Sequence, residues 1–374
     1  MPRSTAADRL AQRPLLARAV ALLQAGDAPR AEAALAAVLQ RWPGQGDALH
    51  FMGLLRHQQG HSQAAMALLQ QAATALPQEP GPCNNLGNVL MALQHWPEAE
   101  HAYRQALARA PGFADAHGNL AQVCLQQGRL DEAAAHFGRA LLLQPGHAIW
   151  QHQLAACDLA HPPPRASTAY LQQVFDAAAA GFDQHLSGLQ YRVPVLMAAN
   201  LRSHFGAPAG QLDVADLGCG TGLCAPHVKP WARQLVGCDL SSGMLARAQG
   251  LGLYDTLLQT ELTDFLRAHP GAFDVLVCAD TFIYIGALHG VALAAAAALR
   301  PGGFMVFSAE TLPDTAPHAL QLRTSGRYAH RADHIHAAFA QASLQLAPLE
   351  LRELRLEAGQ GVQGVVGLAV KPAA

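Results

Sequence analysis

The chain has 374 residues, 51% hydrophobic and only 14% charged, with a formal net charge of −2. That composition excludes a disordered chain and allows about two domains. No two Lys or Arg residues are adjacent, so no basic face for a phosphate backbone is advertised and nucleic acid is not expected as a partner.

The N-terminal stretch MPRSTAADRLAQRPLLARAVALL spreads Arg3, Asp8, Arg9, Arg13 and Arg18 through any apolar run, so a secretory leader is not expected. The alanine-rich window GALHGVALAAAAAL is too short to cross a bilayer. Seven cysteines form no C-x-x-C pair and no zinc pattern. Reduced, mostly buried thiols in a soluble cytoplasmic protein are the expectation, with no membrane partner.

A period of 34 residues governs the first half. Pro43, Pro77, Pro111 and Pro145 keep it without error, as do Ala31, Ala65, Ala99 and Ala133. Gly26, Gly60 and Gly128 follow it too, with Gln94 at the one missing place; Leu35, Leu69, Tyr103 and Phe137 make a further column, and Val38, Ala72, Ala106 and Ala140 another. Small residues let two antiparallel helices approach, the glycine position turns the chain, and the proline stops the second helix. The pattern resembles the tetratricopeptide repeat, in four copies over about residues 12–148, with 149–160 as a capping helix. Such a solenoid presents a concave face suited to a protein or peptide. Asn85 and Asn119, 34 apart, with Asn88 nearby, are the candidate groove residues, because an amide both donates to and accepts from an extended backbone.

His161-Pro162-Pro163-Pro164-Arg165 breaks any helix. The expected division is a helical-repeat domain at 1–160, a proline-rich linker at 161–168, and a second domain at 169–374. That domain opens with helices and then alternates short strands with helices, as a parallel sheet requires. Strands are expected at Leu212–Leu217, Gln234–Cys238, Leu257–Thr260, Val275–Ala279 and Gly303–Ala309. An antiparallel pair, Gln345–Leu356 and Val365–Val370, closes the edge around the turn AGQGVQG.

After the first of these strands comes DLGCGTG. A dinucleotide fingerprint wants G-x-G-x-x-G, whereas Gly218, Gly220 and Gly222 give G-x-G-x-G. Asp216, directly before the loop, would repel a pyrophosphate but suits a ligand carrying an ammonium group. Asp239, ending the second strand, can accept both ribose hydroxyls, which NAD and S-adenosylmethionine share. Glu261 follows the third strand, near where an adenine would lie.

DLGCGTG, CDLSSGML, TELTDFL, FDVLVCADTFIYIG and LRPGGFMVF resemble, in order and spacing, the motifs of class I S-adenosylmethionine-dependent methyltransferases, over about residues 169–374. FDAAAAGFDQHLSGLQYRVP and TSGRYAH further resemble a bacterial group that joins tetratricopeptide repeats to this domain. The resemblance implies a two-domain chain: an all-α solenoid, then a Rossmann-like α/β fold with a seven-stranded, mostly parallel sheet and an antiparallel C-terminal strand. It implies S-adenosylmethionine as cofactor. Asp216, Gly218, Cys219, Gly220 and Gly222 would line its methionyl side and Asp239 its ribose. Leu240 and Met244 would flank the adenosine, Glu261 and Leu262 would face adenine, and Ala279 and Asp280 would close the site.

Methyl transfer asks mainly for alignment and exclusion of water. Where the acceptor is a hydroxyl, carboxyl or amine, a histidine near neutral pKa is the natural base. His330, beside Tyr328 and Arg327, is the preferred candidate over His185 and His227, with Tyr284 and Phe282 where the acceptor must approach. Phe182, Asp183 and Tyr191 are candidates for a lid. The run AHRADHIH places His330 and His334 four apart with Asp333 and His336 near, but no third ligand is fixed, and no metal is expected. The sequence lacks an N/D-P-P-Y signature, which argues against base or glutamine methylation and leaves the acceptor unidentified. The expectation is an active methyltransferase whose repeats recruit a partner or substrate. The alternatives are a small-molecule enzyme with a purely assembling solenoid, or a repeat scaffold whose methyltransferase domain only senses the cofactor. A dehydrogenase is disfavoured by the loop spacing.

Overall fold

The computed structural model describes residues 6–357 and 359–373. Contacts divide the chain after Cys157 into two compact units.

The first unit is a run of helix hairpins: α1 (Ala6–Gln24) with α2 (Ala28–Arg41), α3 (Gly46–Gln58) with α4 (Ser62–Ala75), α5 (Gly81–Ala92) with α6 (Trp96–Arg109), and α7 (Ala114–Gln126) with α8 (Leu130–Leu143). A ninth helix, α9 (Ala148–Ala155), caps the last pair. The periodic columns are its core: Ala31, Ala65, Ala99 and Ala133 are wholly buried, as are Leu35, Leu69 and Tyr103, with Phe137 at 1% exposure. Each second helix stops because the residue before a proline is pushed out of the helical region. Trp42, Leu76, Ala110 and Gln144 accordingly take ψ values of 80°, 66°, 89° and 81°.

The hairpin turns need a left-handed residue. Gly26, Gly60 and Gly128 supply it at φ of 73°, 82° and 73°, and Gln94 is forced into the same conformation at φ 60°. An L side chain pays about 1 kcal/mol there.

The second unit begins with helices α10 (Thr168–Ala178), α11 (Phe182–Gly188) and α12 (Val193–Phe205). Strands β1 (Leu212–Leu217), β2 (Ala232–Asp239), β3 (Thr256–Gln259), β4 (Phe273–Cys278) and β5 (Leu299–Thr311) then alternate with α13 (Ala225–Val228), α14 (Ser242–Gly250), α15 (Leu262–Ala268) and α16 (His289–Ala298). A short hairpin, β6 (Leu320–Leu322) and β7 (Tyr328–His330), precedes α17 (Ala332–Gln341). The chain closes with β8 (Gln345–Leu346), β9 (Leu351–Glu357) and β10 (Gln360–Val370). The main sheet runs β3-β2-β1-β4-β5-β10-β8, with the first five strands parallel and β10 antiparallel to β5. The unit is therefore an α/β Rossmann-like domain, with apolar layers on both faces of the sheet.

Three local expectations change. The strand expected over Gln345–Leu356 is interrupted at Ala347–Glu350, where Pro348 has no N–H for a ladder, and both of its pieces pair with β10. AGQGVQG is not a long turn: β10 already starts at Gln360. The hairpin β6–β7 is an addition, pairing alongside the far end of β5.

The proline-rich segment is also more than a spacer. The backbone N–H groups of Gly286 and Ala287 donate to the Pro164 carbonyl at 2.9 and 2.8 Å, and that of Ala166 donates to Tyr284 O at 2.9 Å. The Tyr328 hydroxyl donates to Pro163 O at 2.8 Å. Residues 163–166 thus form a strap on the second unit.

Replacing the exposed Gln94 by Gly removes the left-handed penalty, and urea unfolding of the full chain is expected to show a gain of about 1 kcal/mol. A loss instead would mean that the Gln94 side chain makes a compensating interaction.

Candidate functional site

At the carboxyl end of β1 the chain turns sharply. Gly218, Gly220 and Gly222 all lie in the left-handed region, at φ of 67°, 55° and 89°. A Cβ at Gly218 would meet Thr281 Oγ1 at 2.6 Å, and one at Gly222 would meet Leu251 at 2.7 Å, so these two glycines allow close packing. A Cβ at Gly220 would meet nothing within 4 Å: this glycine faces open space. The loop is tied to β2 because Gly218 N and Cys219 N both donate to Cys238 O, at 2.8 and 3.0 Å.

Asp239 ends β2 with its carboxylate fixed by backbone N–H groups, from Gly220 to Oδ2 at 2.9 Å and from Ser241 to Oδ1 at 2.8 Å. Burial still holds its pKa above the ordinary carboxylate value, against those two donors. Asp216 is 1% exposed and accepts a 2.6 Å hydrogen bond from the Tyr254 hydroxyl. Its pKa is pushed up to about 6 by burial, in spite of that bond and with Asp239 adding to the rise.

These groups open on one cleft. Of the twelve residues expected at the cofactor, eleven line it (Asp216, Gly218, Cys219, Gly220, Asp239, Leu240, Met244, Glu261, Leu262, Ala279 and Asp280), while Gly222 only shapes the turn behind it. Glu261 also caps α15, accepting from Thr263 N and Asp264 N at 2.8 and 3.1 Å. It pairs with Arg165 of the strap, and burial notwithstanding, that pairing lowers its pKa. Phe182 and Tyr191 line the cleft too; Asp183 lies behind it, accepting from Thr221 Oγ1 and pairing with Arg247 at 3.3 Å, so that α11 is tied to the loop and to α14.

Leu171, Phe175, Leu186, Leu189 and Ile283 complete an apolar wall, and the Phe175 ring meets the Tyr284 ring edge-on at 5.4 Å. His185 stands exposed in the same lining. Asp280, Arg327, Arg355 and Glu357 of the same lining belong to a buried charge cluster. Arg355, 3% exposed, pairs with Asp280 at 2.9 Å, with Glu357 at 2.8 Å and with Glu310; Arg327 pairs with Glu310 at 2.8 Å and Glu357 at 2.7 Å. Burial works against the Arg355 charge, but the three carboxylates outweigh it and raise its pKa. Asp280 itself sits at φ 48°, a left-handed non-glycine position.

Three expected acceptor-side residues are corrected. His330 is wholly buried, is absent from the cleft lining and stacks on His334 with ring centroids 5.4 Å apart. Burial drives its pKa down to about 3, so it is neutral and sealed from any acceptor. Tyr328 is wholly buried with its hydroxyl spent on Pro163. Phe282 packs in the core against Phe307 and Phe339. Tyr284 does line the cleft, but burial raises its pKa, so it is a phenol there and not a base. His227 does not line the cleft. Asn85, Asn88 and Asn119 line a separate hollow of the first unit.

Sequence reading missed Tyr254, Arg165, Arg355 and Glu357. Tyr254, Arg165 and Arg355 meet partners 38 or more residues away, and Glu357 meets Arg327 across 30, separations no local pattern reports. Among the described residues, no group of three or more His, Cys, Asp or Glu side chains could hold a metal ion. Also among them, no helix is long and apolar enough to cross a membrane.

The glycine turn leaves room beside Gly220, next to two acids at strand ends, at the carboxyl end of the parallel strands of an α/β domain. Comparison with known proteins narrows this. Residues 16–80 and 84–148 match the tetratricopeptide repeat family, and residues 215–307 match the methyltransferase domain family. The ubiquinone biosynthesis O-methyltransferase of Thiobacillus denitrificans is 30% identical over 177 residues, 44% of this chain and 72% of that protein. Human methyltransferase-like protein 27 is 32% identical over 139 residues, 37% of this chain and 56% of its own. The crystal structure of a magnesium protoporphyrin IX methyltransferase from Synechocystis PCC 6803 with bound SAH has a TM-score of 0.42 at 17% identity, covering 55% of this chain and 99% of that one. The chain belongs to the S-adenosylmethionine-dependent methyltransferases and carries tetratricopeptide repeats in front of that domain.

The buried imidazole gives a prediction about acid stability. His330 binds a proton at about 3 in the folded chain and at about 6.5 when unfolded. The unfolded state therefore takes up the proton first as pH falls. The contribution of the neutral ring to stability is complete above about 6.5 and is lost toward 3, by about 1.4 kcal/mol per pH unit. His330→Phe removes this loss, so its urea midpoint should gain on wild type between pH 7 and pH 5. A gap that does not change with pH would place a charged histidine in the folded state.

Proposed function

We propose that the chain is an active methyltransferase acting on an oxygen of an acceptor with an apolar body. The observation that carries this reading is that one cleft is lined both by Asp216, Gly220 and Asp239 and by the aromatic and apolar side chains of Phe175, Phe182, Leu186 and Tyr191. In this reading Asp239 accepts the ribose hydroxyls and Asp216 faces the methionyl ammonium, both oriented before any ligand arrives. S-adenosylmethionine, which Asp216, Gly220 and Asp239 would hold, would supply an activated methyl group for in-line transfer to the acceptor oxygen. The aromatic wall packs the acceptor body and excludes water, which aligns the displacement. His185, an exposed residue of the cleft lining, would receive the hydroxyl proton, and Asp183 ties the same helix to the glycine loop and α14. Oxygen as the acceptor atom is also what the names of the ubiquinone-biosynthesis relatives support.

The strap widens the second domain beyond 169–374: its working boundary lies near Asp158, since Arg165 lines the cleft and pairs with Glu261. The repeats serve protein interaction, and we place the partner in the hollow lined by Asn85, Asn88 and Asn119. Seven free thiols, six of them buried, suit a reducing cytoplasmic setting.

Calorimetry with the full chain tests the cofactor site. S-adenosylmethionine should bind and NAD should not, and Asp239→Ala should weaken binding about 5- to 30-fold, the loss of two charge-assisted hydrogen bonds at about 1 to 2 kcal/mol in all. Transfer is then followed as tritiated methyl appearing in base-labile or ether products of a small-molecule extract. Binding without transfer would leave a cofactor-sensing scaffold, and no binding would remove the enzyme reading.

The Asp216 carboxyl makes cofactor affinity pH-dependent. A cationic methionyl end is bound by the carboxylate and not by the acid, and with a free-state pKa of about 6 only about one site in eleven is ionised at pH 5. Affinity should fall about tenfold from pH 8 to pH 5 in wild type, with a flatter profile in Asp216→Asn. A flat wild-type profile would show that Asp216 does not meet the ligand charge.

A further inference from the structure

The cleft that holds Asp216 and Asp239 also carries hydrogen-bond donors that the fold leaves unused. The Arg327 guanidinium is fixed on two sides, its Nε donating to Glu310 Oε1 at 2.8 Å and its Nη2 to both oxygens of Glu357 at 2.7 Å. Its third nitrogen, Nη1, donates to none of the described residues and is not sealed from solvent, in a side chain that lines the cleft at 21% exposure. The hydroxyls of Tyr284 and Tyr191 are placed alike. Both residues line the cleft, and neither hydroxyl has a hydrogen-bond partner among the described residues or is sealed from solvent. All three groups border the same charge cluster. Burial raises the Tyr284 pKa, and Tyr170, Arg327, Asp280 and Arg355 are near enough to act on it as well. Burial likewise raises that of Tyr191, with Asp280, Cys224, Arg355 and Asp216 as its neighbours. Both side chains are therefore phenols at neutral pH, able to donate.

The carboxylates of that cluster are already engaged. Asp280 accepts from Ser308 Oγ and Arg355 Nη1, and Glu357 accepts from Arg327 and Arg355. An ammonium group arriving here finds no open acceptor, whereas an oxygen anion finds a charged N–H and two hydroxyls. Arg323, Arg327 and Arg355 balance Asp280, Glu310 and Glu357, so the cluster as a whole does not repel that anion. We infer that the acceptor carries a carboxylate besides the hydroxyl that is methylated, and that Arg327 Nη1 and the hydroxyls of Tyr284 and Tyr191 hold it. This rests on the oxygen-methyltransferase reading above and names its substrate class, a hydroxy acid with an apolar body. The carboxylate is a handle and takes no part in bond making. Arg327 grips it through a charge-assisted hydrogen bond while Phe175, Phe182 and Leu186 cover the body, and the two contacts together fix the direction in which the hydroxyl faces the methyl donor. Because Glu310 and Glu357 already hold the guanidinium plane, ordering it costs little on binding.

The test uses the full chain and three probes that share one apolar body: 4-butylbenzoate, 4-butylbenzamide and 4-butylbenzylammonium. Each is titrated by calorimetry with S-adenosylhomocysteine present and absent. The benzoate should bind about tenfold tighter than the benzamide, with the ammonium weakest of the three. Tyr284→Phe should cut the benzoate preference about fivefold while leaving S-adenosylhomocysteine affinity and the melting midpoint unchanged, since the hydroxyl has no partner within the described fold. A tyrosine that only packs the wall would keep the full preference after losing its hydroxyl. Arg327→Lys keeps the charge without the fixed plane and should bring the benzoate to within about threefold of the benzamide. Where that variant does not fold, Tyr284→Phe still decides. Equal binding of benzoate and benzamide, a tighter ammonium, no binding of any probe, or an unchanged preference in Tyr284→Phe would each overturn the inference. Loss of S-adenosylhomocysteine binding removes the methyltransferase reading and the handle with it, whereas a missing benzoate preference with that binding intact removes the handle alone.

Discussion

The carboxylate of Asp239, held by two backbone N–H groups, is the interaction on which the second unit's site depends. It lies where β2 ends, and one of its donors, Gly220, belongs to the loop that follows β1. A single side chain therefore locks the glycine turn to the neighbouring strand. The turn is left-handed at three residues in a row of five, a conformation with little intrinsic stability. Without that anchor the turn would not stay open beside Gly220. Tyr254 does for Asp216 what the backbone does for Asp239: it fixes the direction of a charge that burial disfavours. Both acids are thus oriented at positions where burial disfavours their charged form.

The charge cluster in the cleft lining solves a different problem. Arg323, Arg327 and Arg355 face Asp280, Glu310 and Glu357, three cations against three anions, so the cluster carries no net charge. Buried ion pairs of this kind add little to stability over an apolar core, but removal of one member is costly because it strands the others. Their evident effect is geometric. The cluster joins β5, β7, β9 and the end of β4, and so fixes the floor of the cleft through elements far apart in sequence. It also accounts for Asp280 in its left-handed conformation: the Asp280 N–H donates to Ser308 Oγ at 2.7 Å, while the carboxylate takes Ser308 Oγ and Arg355. Neighbours on two strands over-determine the backbone there.

What was legible in the sequence follows from which constraints are local. The 34-residue period was readable because helix packing requires small residues at fixed places within each hairpin, and even the exception at Gln94 keeps the turn geometry. The glycine loop and the strand-end acids were readable because a strand followed by a tight turn confines them to a few adjacent positions. His330 misled for the opposite reason. Its neighbourhood in sequence, RYAH, looks polar and mobile, yet β7 tucks it behind the strap and α17, and nothing within ten residues reports that. The strap misled likewise: proline-rich chain reads as a spacer, while its carbonyls, which proline leaves free to accept, are what Gly286, Ala287 and Tyr328 bind.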